Sequence, residues 1–350
     1  MNIRSVRAFS ELIPLKKPYT IARETISDAE IIFFEIELSN GLCGRGAANP
    51  DPEVIGEMPA QTLDNLASPQ VSEYLKGKHI REFLSHIAYF RNLYRDFPAT
   101  MAAIDIALHD AFGKWIDLPI VDFYGRHHSK MLTSVTIGIK NVAETIQEAK
   151  EYKAQGFKVL KVKTGLDAQE DAERIIRLYE TFENYFTVRV DANEGYQAED
   201  LEQFLALTAS CPAELIEQPF HPSLDQALLT FPDEVRKILA ADESLKNARS
   251  AFELARHDLF GIFNIKLMKC GGLTAAFEIA TIARQADIGL FWGCNDESDL
   301  SISAALHAAF ACVNPRYLDL DGSFDLLEDH KQSGFILQDG YLSIHSKPGF

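Results

Sequence analysis

Little in this chain points to disulfides, membranes or nucleic acids. Its 350 residues include five cysteines, Cys43, Cys211, Cys270, Cys294 and Cys312, scattered and never in C-x-x-C spacing. Such an odd, dispersed set excludes a disulfide framework or a cysteine-based zinc finger. It fits reduced thiols serving as small core residues. No apolar run approaches a membrane span, and the segment MNIRSVRAFSELIPL holds no continuous apolar stretch of signal-peptide type. A cytoplasmic location is therefore expected. Positive charge is scarce, with 34 Lys and Arg against 51 Asp and Glu, a net of −17. That field repels phosphate backbones and anionic lipid, so neither nucleic acid nor membrane is an expected partner. A small substrate stays open, because charge inside a pocket can oppose the net charge.

What is present is enough apolar material for a large core: 47% of residues are hydrophobic and 24% charged. The first third alternates in strand fashion over 2–13 and 30–38, turns at 40–44 (NGLCG), and then reads helical over about 70–94 and 98–115. This is the pattern of a small α+β unit. From about residue 131 the chain becomes rhythmic. Eight short apolar runs, TSVTIGI, KVLKVK, TVRVDAN, AELIEQP, ILAADES, FNIKLMK, LFWGCN and RYLDLDG, alternate with amphipathic helical segments. Repeated strand–helix units with apolar strands imply a parallel sheet covered by helices, and eight of them imply a closed barrel. An open doubly wound sheet is the competing arrangement.

Each of these strands but the first and seventh carries an unexpected polar group at or near its end. Lys161 and Lys163 share one face of the second run, Asp191 and Asn193 one face of the third, and Glu217, Asp242 and Lys266 follow. Asp191 to Glu217 is 26 residues, Glu217 to Asp242 is 25, and Asp242 to Lys266 is 24, so each strand–helix unit marks the same kind of position. In a barrel these ends converge on the face where active sites are built. Three carboxylates together repel one another unless a hard divalent cation such as Mg²⁺ neutralises them. The competing reading pairs each acid with a lysine or a helix cap. Lysines on both sides of such a cation suit a substrate whose carboxylate chelates it, with an enediolate formed when the neighbouring proton is removed. A lysine base needs a lowered pKa, and a second lysine plus a cation would provide it.

The motifs 161-KVK-163, 191-DAN-193, 216-IEQP-219, 241-ADES-244 and 264-NIK-266 together resemble the enolase superfamily, in its muconate-lactonising (mandelate racemase/muconate lactonising) subgroup. That resemblance implies a modified (β/α)8, TIM-like barrel with an N-terminal α+β capping domain. The division would be 1–120 for the cap, 121–322 for the catalytic barrel, and a tail over about 323–350 returning to the cap. It implies one Mg²⁺ per subunit on Asp191, Glu217 and Asp242, with Lys163 and Lys266 as acid/base catalysts. Lys161 would tune Lys163 and help hold the substrate carboxylate, and Asn193 would support the metal site from behind.

Within the subgroup, 317-YLDLDG-322, 266-KLMKCGG-272 and 293-GCNDES-298 resemble the dipeptide epimerases. Asp319 and Asp321 share a strand face away from the metal acids, placed to bind the free ammonium of a dipeptide. The competing reading has them capping a helix or paired with lysine. The expected reaction is two-base inversion at the Cα of the C-terminal residue, as in an L-Ala-D/L-Glu epimerase. Which side chain is preferred stays open. Arg23 suits an acidic one, Glu24 and Asp296 a neutral or basic one, and Thr136 is a further candidate contact. Substrate-closing loops are expected over 16–28 and about 49–59. N-acylamino acid racemisation and o-succinylbenzoate synthesis are the alternative chemistries. A non-catalytic barrel binding a small acid or peptide is the remote one, and a homo-oligomer is possible.

Overall fold

Alternating apolar residues carry the first third into a three-stranded antiparallel sheet. The computed structural model describes residues 1–20, 25–327 and 334–350. The sheet holds β1 (Ile3–Thr20), β2 (Thr25–Leu38) and β3 (Cys43–Ala48) in that order. β2 is buried on both faces, which explains its IIFF run. Ile32, Phe34 and Ile36 join the main core, while Ala29, Ile31 and Phe33 pack with Ile13, Leu15 and Leu326. The expected loop over 16–28 is in its described parts a continuation of the strands, with Tyr19 opposite Ile26 and Thr20 opposite Thr25 beyond a register irregularity after Pro14. Pro14 and Pro18 lack the N–H a central strand needs, and the edge position of β1 tolerates them.

Four helices follow: α1 (Pro52–Ile55), α2 (Pro59–Leu66), α3 (Pro69–Leu75) and, after a tight turn at Ile80–Glu82, α4 (Phe83–Leu93). The helical pattern over 70–94 is thus split, at Gly77 with φ +80°. α5 (Pro98–Trp115) is buried along nearly its whole length because it lies between the sheet and the barrel helices. A Cβ on Gly46 would come within 2.0 Å of the Ala103 carbonyl oxygen, so glycine there lets β3 lie directly on α5.

After α6 (Ile120–Tyr124) and β4 (Lys130–Leu132), the eight apolar runs become β5 (Val135–Ile137), β6 (Val159–Lys163), β7 (Thr187–Asp191), β8 (Ile216–Glu217), β9 (Leu239–Ala241), β10 (Ile262–Ile265), β11 (Gly289–Trp292) and β12 (Pro315–Leu318). They form one parallel sheet in sequential order. The ring closes where Thr133 bridges Leu318 and the Ser134 N–H donates to the Leu318 carbonyl at 3.0 Å. Between the strands lie α7 (Val142–Ala154), α8 (Ala168–Phe182), α9 (Ala198–Leu207), α10 (Asp233–Arg236), α11 (Ala248–His257), α12 (Leu267–Cys270), α13 (Leu273–Gln285) and α14 (Asp299–Phe310). Among the described residues no helix follows β12. The chain instead bridges back to the cap at Leu326–Leu15, and β13 (Phe335–Gln338) and β14 (Tyr341–Ile344) pair onto β4. The Phe350 N–H donates to Asp110 of α5 at 3.1 Å. No helix among the described residues is long and apolar enough to cross a membrane.

Candidate active site

The ladder registers set the site. Lys163 pairs with Asp191 across β6 and β7, and Asp191 with Glu217 across β7 and β8, so three charged residues stand in one row at the strand ends. Asp242 follows the end of β9, and Lys266 the end of β10. In an eight-strand ring with sequential order, β6 and β10 lie four places apart. Lys163 and Lys266 therefore rise from opposite walls, with the three acids on the strands between them. Both lysines line one cavity of about 150 Å³, closed on the cap side by Asn49, Asp51 and Val54.

Inside that ring the charges are tightly interlocked. The Lys163 ammonium donates to Asp191 Oδ2 at 2.8 Å and to Asn193 Oδ1 at 3.0 Å. The Asn193 backbone, at φ +42°, turns its N–H onto Asp191 Oδ1 at 3.0 Å. Lys161 Nζ lies 3.0 Å from Asp191 Oδ2 and 2.9 Å from Glu217 Oε2. Lys266 Nζ lies 2.9 Å from Asp242 Oδ2. Burial opposes the charge on Asp191, but Lys161 and Lys163 outweigh it and hold its pKa down at about 2. Asp242 is likewise held far below the usual range by Lys266 and Lys269. Glu217 goes the other way, to about 8, through burial and the neighbouring Asp191. Burial would lower Lys161 and Lys266, but Asp191, Asp319 and Glu217 around the first and Asp242 beside the second drive both upward.

The donor set fits a hard cation. All three side chains offer oxygen and all are buried, and Glu217 Oε2 faces the Lys161 ammonium at 2.9 Å with no other hydrogen-bond donor among the described residues. Among the described residues no three acidic, histidine or cysteine side chains are already gathered as a metal shell. The Lys161 ammonium sits against Asp191 and Glu217 and supplies the positive charge such a shell would otherwise need.

The mandelate racemase/muconate lactonizing enzyme N-terminal domain model matches residues 3–125, and the enolase C-terminal domain-like model matches residues 144–350. An L-Lys-D/L-Arg epimerase of Desulforapulum autotrophicum is 46% identical over 350 residues, covering 100% of this chain and 98% of its own. A crystal structure of a dipeptide epimerase from Methylococcus capsulatus, complexed with Mg and the dipeptide L-Arg-D-Lys, superposes at a TM-score of 0.97 with 45% identity, covering 100% of this chain and 99% of that one. Another, from Enterococcus faecalis with Mg and L-Leu-L-Tyr, superposes at 0.93 with 31% identity, covering 100% and 99%. The chain belongs to the mandelate racemase/muconate lactonizing enzyme family.

In this family member the two aspartates after β12 separate. Asp319 Oδ2 accepts from Lys161 Nζ at 2.8 Å and its Oδ1 from Ser134 Oγ at 2.6 Å. It is therefore tied through Lys161 to the acids, not set apart from them as the sequence implied. Asp321 Oδ2 accepts the Thr136 backbone N–H at 2.8 Å, the Thr136 side chain also bonds this carboxylate, and burial together with Asp319 raises its pKa to about 7. Thr136 lines the same cavity, as does Asp296. Arg23 and Glu24 lie outside the described residues.

Several residues that this family member brings to the site carried no role in the sequence reading. Lys269, three residues after Lys266 on α12, hydrogen-bonds the Asp242 carboxylate with its buried ammonium. Asn264 Nδ2 donates to Glu217 Oε1 at 2.6 Å, and only a glycine at 293 leaves it room, since a Cβ there would lie 2.5 Å from Asn264 Oδ1. They stand within the motifs KLMKCGG and NIK, and for Asn264 a polar residue inside the buried strand β10 was the available signal. Arg189 crosses the barrel floor to the Leu318 carbonyl at 2.7 Å and to Glu214 at 2.7 Å, so its charge is spent on closing the barrel.

Proposed function

We propose that the chain is a Mg²⁺-dependent dipeptide epimerase that inverts the Cα of the C-terminal residue, with a preference for basic side chains. The observation that carries this reading is the pair of lysines entering one cavity from strands four places apart, with three buried carboxylates between them. Binding alone does not call for proton-transfer groups on both faces of a ligand.

Asp191, Glu217 and Asp242 would hold the cation. When bound, Mg²⁺ would neutralise those carboxylates, favour a neutral lysine base and stabilise charge on the substrate carboxylate as the proton leaves. Lys161 lies beside the same acids and would steady that carboxylate. With the Cα between the walls, one of Lys163 and Lys266 removes its proton and the other returns one on the opposite face. Running the sequence from the other side regenerates the first epimer. Asp321 would receive the peptide's free ammonium, and the cap residues Asn49, Asp51 and Val54 would exclude water.

Two facts support basic side chains. The cavity is lined by seven acidic side chains, Asp51, Asp296 and Asp325 among them, and by four lysines. The Desulforapulum relative, 46% identical, is an L-Lys-D/L-Arg epimerase. Chiral analysis of L-Lys-L-Arg, L-Ala-L-Glu and an N-acylamino acid incubated with the protein and Mg²⁺ tests the proposal. Inversion of the first well ahead of the second supports it. Inversion of the N-acylamino acid alone would replace it with N-acylamino acid racemisation.

A further inference from the structure

A second cavity lies behind the site, between the cap and the barrel. Its volume is about 290 Å³, and its walls come from α1, from the turn joining α4 to α5, from the residues entering α11, and from α12. Four of the lining residues are cations, Arg91, Arg95, Lys246 and Lys269, and none is an acid. That is unexpected in a chain whose acids outnumber its bases 51 to 34. Two of the four are already neutralised. Arg91 holds Glu278 through two hydrogen bonds of 2.7 Å, and Lys269 is spent on Asp242. Neither Arg95 nor Lys246 is ion-paired to another described residue. The cleft therefore presents about two uncompensated positive charges on separate elements facing one space.

We propose that this cleft binds a small dianion of the phosphate or dicarboxylate class, and that its occupancy is felt in the catalytic cavity through α1. Val54 of α1 lines both spaces, so α1 is the partition between them. α1 also rests on α12, whose Lys269 joins the cleft to Asp242. An anion held between Arg95 and Lys246 fills the cleft against Val54 and Ile55 of α1, and any effect on substrate affinity must be matched by an equal effect of substrate on the anion. Anion binding itself stands independently of the epimerase reading.

The test is calorimetric titration of the full chain with inorganic phosphate, and separately with succinate, for the native protein and for the Arg95→Ala/Lys246→Ala double variant. Both side chains are exposed and take no part in the proton transfer. Saturable binding that weakens about tenfold or more in the double variant is expected, the size two partly exposed ion pairs supply. The phosphate and succinate arms distinguish the two sources of dianion. No saturable binding of either, or equal binding by both proteins, overturns the site. A phosphate-dependent shift in the KM of a dipeptide, present in the native protein and absent in the double variant, supports the coupling. An unmoved KM at saturating phosphate overturns that part.

Discussion

Lys161 Nζ lies 2.8 Å from Asp319 Oδ2, and this contact divides a two-aspartate motif into two jobs. Asp319 holds the lysine that touches Asp191 and Glu217, while Asp321 keeps its carboxylate toward the cavity. Lysine and aspartate come from β6 and from just past β12, on either side of the point where the barrel closes.

The two aspartates should therefore fail differently. On the proposed reading Asp321→Asn removes the partner of the substrate ammonium, and KM for a dipeptide should rise about 10- to 100-fold with Mg²⁺ affinity unchanged. Asp319→Asn releases Lys161 beside Asp191 and Glu217, the proposed Mg²⁺ ligands, and should alter Mg²⁺ affinity as well. Calorimetric Mg²⁺ titration beside steady-state kinetics separates them, and identical behaviour of the two variants would remove the division.

Asn264 makes a second case. Its amide donates to Glu217 Oε1 at 2.6 Å in a fully buried setting. Asn264→Leu leaves that oxygen without a donor, at a cost of about 1–3 kcal/mol in stability. If Glu217 holds the cation as proposed, losing such support from behind should cost about 10- to 100-fold in metal affinity. Thermal melting and Mg²⁺ titration should both register the change, and an unchanged Mg²⁺ affinity would dissociate Glu217 from the cation.

His307 supplies a pH-dependent prediction away from the site. Its ring is buried in α14, Nδ1 accepts the Val121 N–H at 3.1 Å, and Nε2 has no hydrogen-bond partner. Burial, with Arg126 adding to it, lowers its pKa from 6.5 to about 3. Below pH 6.5 the unfolded chain takes a proton that the folded chain refuses, so stability is lost as pH falls from there toward 3. The loss reaches the order of a few kcal/mol. His307→Gln keeps an acceptor without a titrating ring. Denaturant midpoints between pH 7 and 4 should fall less steeply in the variant, and parallel curves would contradict the assignment.

Much of this arrangement was legible in the sequence because strands buried on both sides are apolar, and a lysine or carboxylate at their ends stands out. The interval of 24–26 residues from Asp191 to Lys266 then fixes one face of a parallel barrel. What was not legible depends on closure. Nothing local in YLDLDG tells that Asp319 meets Lys161, because that contact spans the junction of the ring's two ends. Lys269 was hidden for another reason: it lies on the one-turn helix α12, where its spacing from Lys266 reads as an ordinary surface lysine. The strand continuation at Tyr19 and Thr20 was masked by Pro14 and Pro18, which signal a break that an edge strand absorbs.

Two-sided proton transfer has the sharpest consequence in D₂O. L-Lys-L-Arg should be followed with Mg²⁺, by mass spectrometry and chiral separation, using the native protein, Lys163→Ala and Lys266→Ala. Native protein should place solvent deuterium on the C-terminal Cα of the inverted product before it appears in the remaining substrate. Each lysine variant should lose inversion by about a thousandfold, while one of them still exchanges the α-proton of a single epimer. Deuterium appearing equally in substrate and product from the first turnovers, or inversion surviving in either variant, would contradict a lysine on each face.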